Sequence, residues 1–233
     1  INKIIINYSD KEEYSYFDVN KSQLTNEGAI LYFVIKNSTI KEDIFHEMNH
    51  ALQFFVLGKE RTENNLDYLR IKSIVGSFTK KNKSIVDKFN EILYNADEQE
   101  INAQISGAYG KLVSHLKEKG WKRGMFENTK EYRDWFTEYI KTTNSYNSAI
   151  QMINYKIFNE FNIKNLNNVD EYDKNVYFTM VKILEENERY SPRKFILTSE
   201  QATSLMKKYQ SFINKQGEKL RRKLFRLYGL FIK

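Results

Sequence analysis

Three histidines occur among the 233 residues, and two of them, His46 and His50, lie four apart with Glu47 directly after the first. On a helix, a four-residue step stacks side chains on one face. Two imidazoles placed this way can share one Zn²⁺ at about 2.0–2.1 Å. A glutamate at the intervening position stands beside the ion without being aimed at it. It is placed to take a proton from an activated water and return it to a leaving amine. His-Glu-x-x-His is thus the arrangement that metal-assisted peptide hydrolysis needs, with Glu47 as general base. The plainer alternative is a pair of rings lying on a surface with no ion between them.

Two imidazoles do not complete a catalytic zinc site, which takes three protein ligands and keeps one position open. The chain has no cysteine, so disulfides and thiolate ligands are excluded and the third donor must be His, Asp or Glu. His115 sits among Lys111, Lys117 and Lys119, where a solvent-facing ring is expected. The better source is the stretch from Asn95 to Gly110. Read as a helix, one of its faces carries Glu98, Ile101, Ile105, Ala108 and Leu112. Another carries Glu100, Ala103, Gly107 and Gly110. The small side chains of the second face let another helix approach closely, and the His-Glu-x-x-His helix is the natural partner. Glu100 is therefore the preferred third ligand, with Glu98 as the alternative. Each could instead be a solvated first-turn acid favoured by the helix dipole. Asn102 or Asp97 could orient a histidine ring, and Tyr109 is one candidate donor to a developing oxyanion.

The elements that must position these groups can be read from the hydrophobic pattern. Ile4 to Ile6 and Gly28 to Lys36 have the short β-branched and aromatic character of strands. The second is nearly all apolar, so both its faces are expected to be covered. Asp10 to Gln23 reads as a short helix. Thr39-Ile40-Lys41-Glu42 has the form of a capping box. The helix it opens carries Ile40, Ile44, Phe45, Met48, Ala51, Leu52, Phe55 and Val56 at 3.6-residue spacing, with Gly58 as its stop. Further helices are expected at Leu66 to Phe78, Ser84 to Tyr94, and Asp97 to Lys119 with an end at Gly120. Thr129 to Phe161, broken near Thr142 to Ser148, and Glu171 to Glu186 follow. Ser191-Pro192 breaks the chain. Ser199 to Ile232 closes it as one or two helices, with Gly217 as a joint.

His46-Glu47-Met48-Asn49-His50 with a glutamate on a later helix resembles the gluzincin branch of the zincin metallopeptidases. The text FHEMNHALQ, with EINAQI about 50 residues on, is similar to small bacterial and phage-encoded members. The resemblance covers residues 28–112. It implies that His46, His50 and Glu100 bind zinc and that Glu47 is the general base. It also implies that Gly28 to Lys36 is the sheet edge that pairs with an extended peptide substrate. The expected architecture is a helix-dominated α+β fold. It has a zincin-like metallopeptidase domain over residues 1–120, built of a small sheet and an active-site helix. A helical extension over residues 121–233 ends in a basic segment.

Composition sets the remaining bounds. Hydrophobic residues at 41% and a single proline suit a folded, largely helical chain. No run of about 18 apolar residues is present, so no transmembrane span is expected. No signal-peptide pattern opens the sequence, and with the absence of cysteine this favours a cytoplasmic protein. Ser199 to Lys233 holds nine basic residues against two acidic ones, which is the whole excess of +7. Leu220, Leu224, Leu227 and Phe231 share one face there. The segment reads first as a last helix docked by its leucine stripe with its basic side in water. Otherwise it is a contact for an anionic partner, nucleic acid or a membrane surface. Two rivals to the peptidase follow: a non-catalytic zincin-like assembly module, as in a phage particle, and a basic helical nucleic-acid-binding protein.

Overall fold

The structure, a computed structural model, describes residues 1, 3–11, 15–18, 20–25, 28–36, 41–57, 88–89, 91–120, 129–156 and 199–232. Strands come first: β1 (Lys3–Ser9), β2 (Tyr16–Phe17), β3 (Gln23–Thr25) and β4 (Gly28–Lys36). The helices are α1 (Lys41–Leu57), α2 (Glu98–Glu118), α3 (Lys130–Lys141), α4 (Asn144–Asn154) and α5 (Ser199–Arg226), closed by a 3-10 turn at Leu227–Leu230. The fold is α+β and helix-dominated, with one small mixed sheet. Among the described residues, no helix is long and apolar enough to cross a membrane. The helices expected at Leu66 to Phe78 and Glu171 to Glu186, the stop at Gly58 and the break at Ser191-Pro192 lie outside the described residues.

β4 is the central strand. β1 pairs with it in parallel from Lys3↔Ile30 to Ser9↔Lys36, and β2 and β3 pair antiparallel on its other side. Its continuous apolar run explains the position, because a central strand is covered on both faces. Ala29, Leu31, Phe33 and Ile35 form a core with Phe17 and with Ala51 and Phe54 of α1, while Val34 is buried on the opposite face. The open sheet edge implied for Gly28 to Lys36 is therefore corrected: neighbours occupy both sides of this strand.

The helix expected within Asp10 to Gln23 is also replaced. Its described part holds β2, a turn and the start of β3. Asp18 decides this locally. Its side chain accepts from the Asn20 and Lys21 amides, 3.1 Å each, and its own amide donates to the Tyr32 carbonyl at 2.8 Å. A short acid that binds amides two and three residues on favours a turn over a helix.

The capping box read at Thr39 to Glu42 lies partly outside the described residues, but the other partners of Glu42 are clear. Its carboxylate is buried and accepts from Lys111 Nζ at 3.0 Å, from the Asn144 and Ser145 amides at 3.3 and 3.2 Å, and from Ser145 Oγ at 2.9 Å. It caps the start of α4, a helix about a hundred residues away in sequence. Ser145 Oγ also lies 2.8 Å from the Gln104 carbonyl, so its one hydroxyl proton is shared between that oxygen and Glu42, joining α1, α2 and α4.

α2 matches its expected span. Asp97 caps its start by accepting from Gln99 N at 2.7 Å, and Gly120, at φ +74, leaves the helix in the left-handed conformation that glycine tolerates. Thr143 accounts for the break between α3 and α4: its hydroxyl donates to Ile140 O at 2.7 Å and accepts from Tyr146 N at 3.2 Å. α5 runs unbroken through Gly217, the residue at which one compact unit ends and the other resumes in sequence.

The chain forms two compact units, each discontinuous in sequence: Ile1–Asn65, Asp97–Ile150 and Glu218–Lys233 make one, and Leu66–Ala96 with Gln151–Gly217 the other. A boundary at residue 120 coincides with neither. In the first unit Leu220, Leu224, Leu227 and Phe231 are buried, with Phe231 against Tyr109, Tyr228 against Phe136 and Phe225 against Tyr146. The leucine stripe is docked, as its spacing predicts. In the second unit Phe89, Ile92, Met152, Tyr155 and Ile213 are buried. There Asn214 Nδ2 donates to the Met152 and Ile153 carbonyls at 2.7 and 3.0 Å, satisfying the end of α4.

Candidate metal centre

α1 and α2 lie close because α2 is stripped of side chains where they meet. A Cβ at Gly107 would fall 2.7 Å from the Glu42 carbonyl oxygen and 3.4 Å from His46 Cβ. One at Gly110 would fall on the Phe45 ring. This is the small face read from the sequence, and Glu100 lies on it. The carboxylate straddles the two imidazoles: Oε1 is 3.2 Å from His46 Nε2 and Oε2 is 3.2 Å from His50 Nε2. The two Nε2 atoms are 3.1 Å apart. His46, His50 and Glu100 thus form a group that could hold a metal ion.

Glu98 is not part of it. A two-residue step turns a helix by about 200°, so Glu98 projects from the far side of α2. There it is exposed and paired with Lys219 at 2.6 Å, and that lysine holds its carboxyl below the usual range. Tyr109, nine residues beyond Glu100, is likewise on the opposite face, against Phe231. His115 is partly buried rather than solvent-facing. Its ring lies 4.9 Å from that of Tyr139 and 6.0 Å from that of Trp135, because α3 supplies an aromatic wall at the end of α2. Asn102 and Asp97 orient neither ring: Asn102 accepts from Lys223 at 3.1 Å and Asp97 caps α2.

Three groups that the sequence did not single out support the centre. Gln53, one turn beyond His50 on α1, places Oε1 3.1 Å from His50 Nδ1. Its spacing was a signal that could have been read. Gln104 Nε2 donates to Glu100 Oε1 at 3.4 Å, again one helical turn away. The third is the main-chain N–H of Phe17 in β2, which donates to Glu47 Oε2 at 2.8 Å. A backbone amide thirty residues upstream leaves no mark in the sequence. It ties down one oxygen of Glu47, while the other, Oε1, lies 3.9 Å from His46 Nε2.

The electrostatics of the centre favour a cation. Burial pushes the Glu47 carboxyl up, and His46, His50 and the Phe17 amide only partly offset it. Burial also opposes ionisation of Glu100, yet hydrogen bonds and charge from both rings hold it well below the usual carboxylate range. For His50, burial works against the charged form, but Glu100, Glu47 and Gln53 together raise its pKa above the ordinary value. Glu100 Oε2 is buried, and the group it faces is the His50 ring. A buried carboxylate whose two oxygens each face a ring nitrogen is stabilised by extra protons or by a shared metal ion.

No protein-family model matches the chain, and no curated protein or solved structure does. What can be said of function therefore rests on the chemistry of this centre.

Proposed function

We propose that the chain is a zinc-dependent metallopeptidase of zincin-like architecture, with His46, His50 and Glu100 as ligands and Glu47 as general base. The observation that carries this reading is the convergence of the donors: two ring nitrogens 3.1 Å apart, each 3.2 Å from a different oxygen of Glu100. A tetrahedral zinc with bonds of about 2.0–2.1 Å separates its donors by about 3.3 Å. The ligand set of two imidazoles and one carboxylate leaves the fourth position open. Zinc bound there supplies Lewis acidity, which makes water a nucleophile near neutral pH.

The protein's own part is proton transfer and orientation. Glu47 Oε2 is tethered by Phe17 N–H, which leaves Oε1 to accept the proton of the attacking water. Burial raises the basicity of Glu47, so it holds that proton well enough to deliver it to the leaving amine. Measurement of zinc content and peptide cleavage for the wild type and for Glu47→Gln tests the reading. The expected result is one zinc in both and turnover in the wild type alone. Zinc binding with equal turnover in both proteins would remove Glu47 as the general base, and zinc binding with turnover in neither would leave a non-catalytic metal protein.

A further inference from the structure

We propose that Gln53 is the positioning residue of this centre: it sets the tautomer of His50 and locks that ring to the helix carrying Glu100. The proposal builds on the zinc reading above and adds a residue that reading does not require. The argument starts at a main-chain carbonyl. Gln53 Nε2 lies 3.0 Å from the Gln99 carbonyl oxygen and 2.8 Å from Asn49 Oδ1. A carbonyl oxygen only accepts, so the nitrogen end of the Gln53 amide must face Gln99. Asn49 is oriented in its turn: its Oδ1 accepts from Gln53, which leaves its Nδ2 to donate to Ser106 Oγ of α2 at 2.7 Å.

With both N–H groups of Gln53 committed, its Oε1 is left facing His50 Nδ1 at 3.1 Å. An amide oxygen also only accepts, so Nδ1 must carry the proton. A neutral imidazole has one N–H, so once the ring loses the proton that its charged form directs at Glu100, His50 Nε2 is left bare. That bare nitrogen is the one 3.1 Å from His46 Nε2 and 3.2 Å from Glu100 Oε2. Gln99, the anchor of the chain of bonds, precedes Glu100 directly. One side chain thus couples the lone pair of one ligand to the backbone of another.

Two variants separate ring positioning from simple structural support. Gln53→Leu removes the acceptor and both donors. Zinc affinity, measured by competition with a chelator, is expected to fall about 10–100-fold. Gln53→Glu keeps an oxygen facing Nδ1 but sets an anionic oxygen against the Gln99 carbonyl. It is expected to keep zinc affinity within a few-fold of wild type while lowering the melting temperature. If Gln53 were only structural, affinity would follow stability in both variants.

An independent readout uses the metal-free protein. With three histidines in the chain, long-range ¹H–¹⁵N spectra hold three ring systems. At about pH 9 the His50 ring is expected as the Nδ1–H tautomer in the wild type and as a mixture in Gln53→Leu. A wild-type Nε2–H tautomer, wild-type zinc affinity in Gln53→Leu, or equal loss of affinity in both variants would overturn the proposal. A wild type that binds no zinc defeats the zinc reading instead, and the tautomer still decides the role of Gln53.

Discussion

Glu47 and Glu100 are both buried carboxylates beside the same two rings, yet their chemistry diverges. Glu100 faces both ring nitrogens and stays ionised. Glu47 contacts them only at 3.9 Å and is held chiefly by a neutral amide, so burial dominates and its proton affinity rises. One is suited to ligate, the other to shuttle a proton. Glu47→Gln is accordingly expected to lower turnover by about 10²–10⁴-fold with zinc content unchanged. His50 gives a pH prediction. In the metal-stripped protein the folded state holds its proton more tightly than the unfolded chain does. That stabilisation is complete below the unfolded value of about 6.5 and is lost as pH rises through the higher folded value. Melting temperatures of chelator-treated protein should fall as pH rises above about 6.5. Added zinc should reverse the trend, since metal binding needs the rings unprotonated. The motif residues were legible because His-Glu-x-x-His is a local pattern on one helix. Glu100 was legible because a two-residue helical offset from Glu98 separates the small face from the apolar one. The Phe17 amide was not, since main-chain donors carry no residue identity.

The contact between α1 and α2 sets the distance from the rings to Glu100, and glycine sets that contact. Gly107→Ala would place a methyl 2.7 Å from the Glu42 carbonyl oxygen, where main chain rather than a flexible side chain must give way. Overpacking costs about 1–3 kcal/mol, offset by about 1 kcal/mol of helix propensity. The variant is expected to lose little stability in denaturant titrations but to bind zinc more weakly, because α2 retreats from His46. Glu42 works on the same contact. Glu42→Ala removes the partner of Lys111 and of two amides of α4, for a loss near the low end of about 3–5 kcal/mol because Lys111 is partly exposed. Urea denaturation measures it. A capping-box pattern was present, but the sequence cannot say that a glutamate will turn inward to cap a distant helix. Likewise the apolar run of β4 announced a strand, though only the face of Ala29, Leu31, Phe33 and Ile35 is fully buried, and on the other Val34 is buried while Ile30 and Tyr32 are half-buried. Asp10 to Gln23 misled because its aromatic spacing suited a helix while its amides found partners across the sheet.

The uneven charge of the whole chain takes on a different meaning once the last segment is docked. Leu224 is fully buried, whereas Lys219 is engaged with Glu98 and Lys223 with Asn102. The segment is first a part of the core. Leu224→Ala is expected to cost about 2–5 kcal/mol in denaturant, while Lys219→Ala should cost under about 1 kcal/mol, as an exposed pair does. The docked stripe was legible because its leucines repeat at helical spacing. The two interleaved units were not, because contacts between distant segments leave no periodic signal. The account stands on one ion shared by three side chains, and the most direct test is the zinc content of purified protein, determined by elemental mass spectrometry alongside His46→Ala. One equivalent per chain in the wild type and a much lower content in the variant is the predicted result. No bound zinc in a folded wild type, even after incubation with the metal, would contradict it.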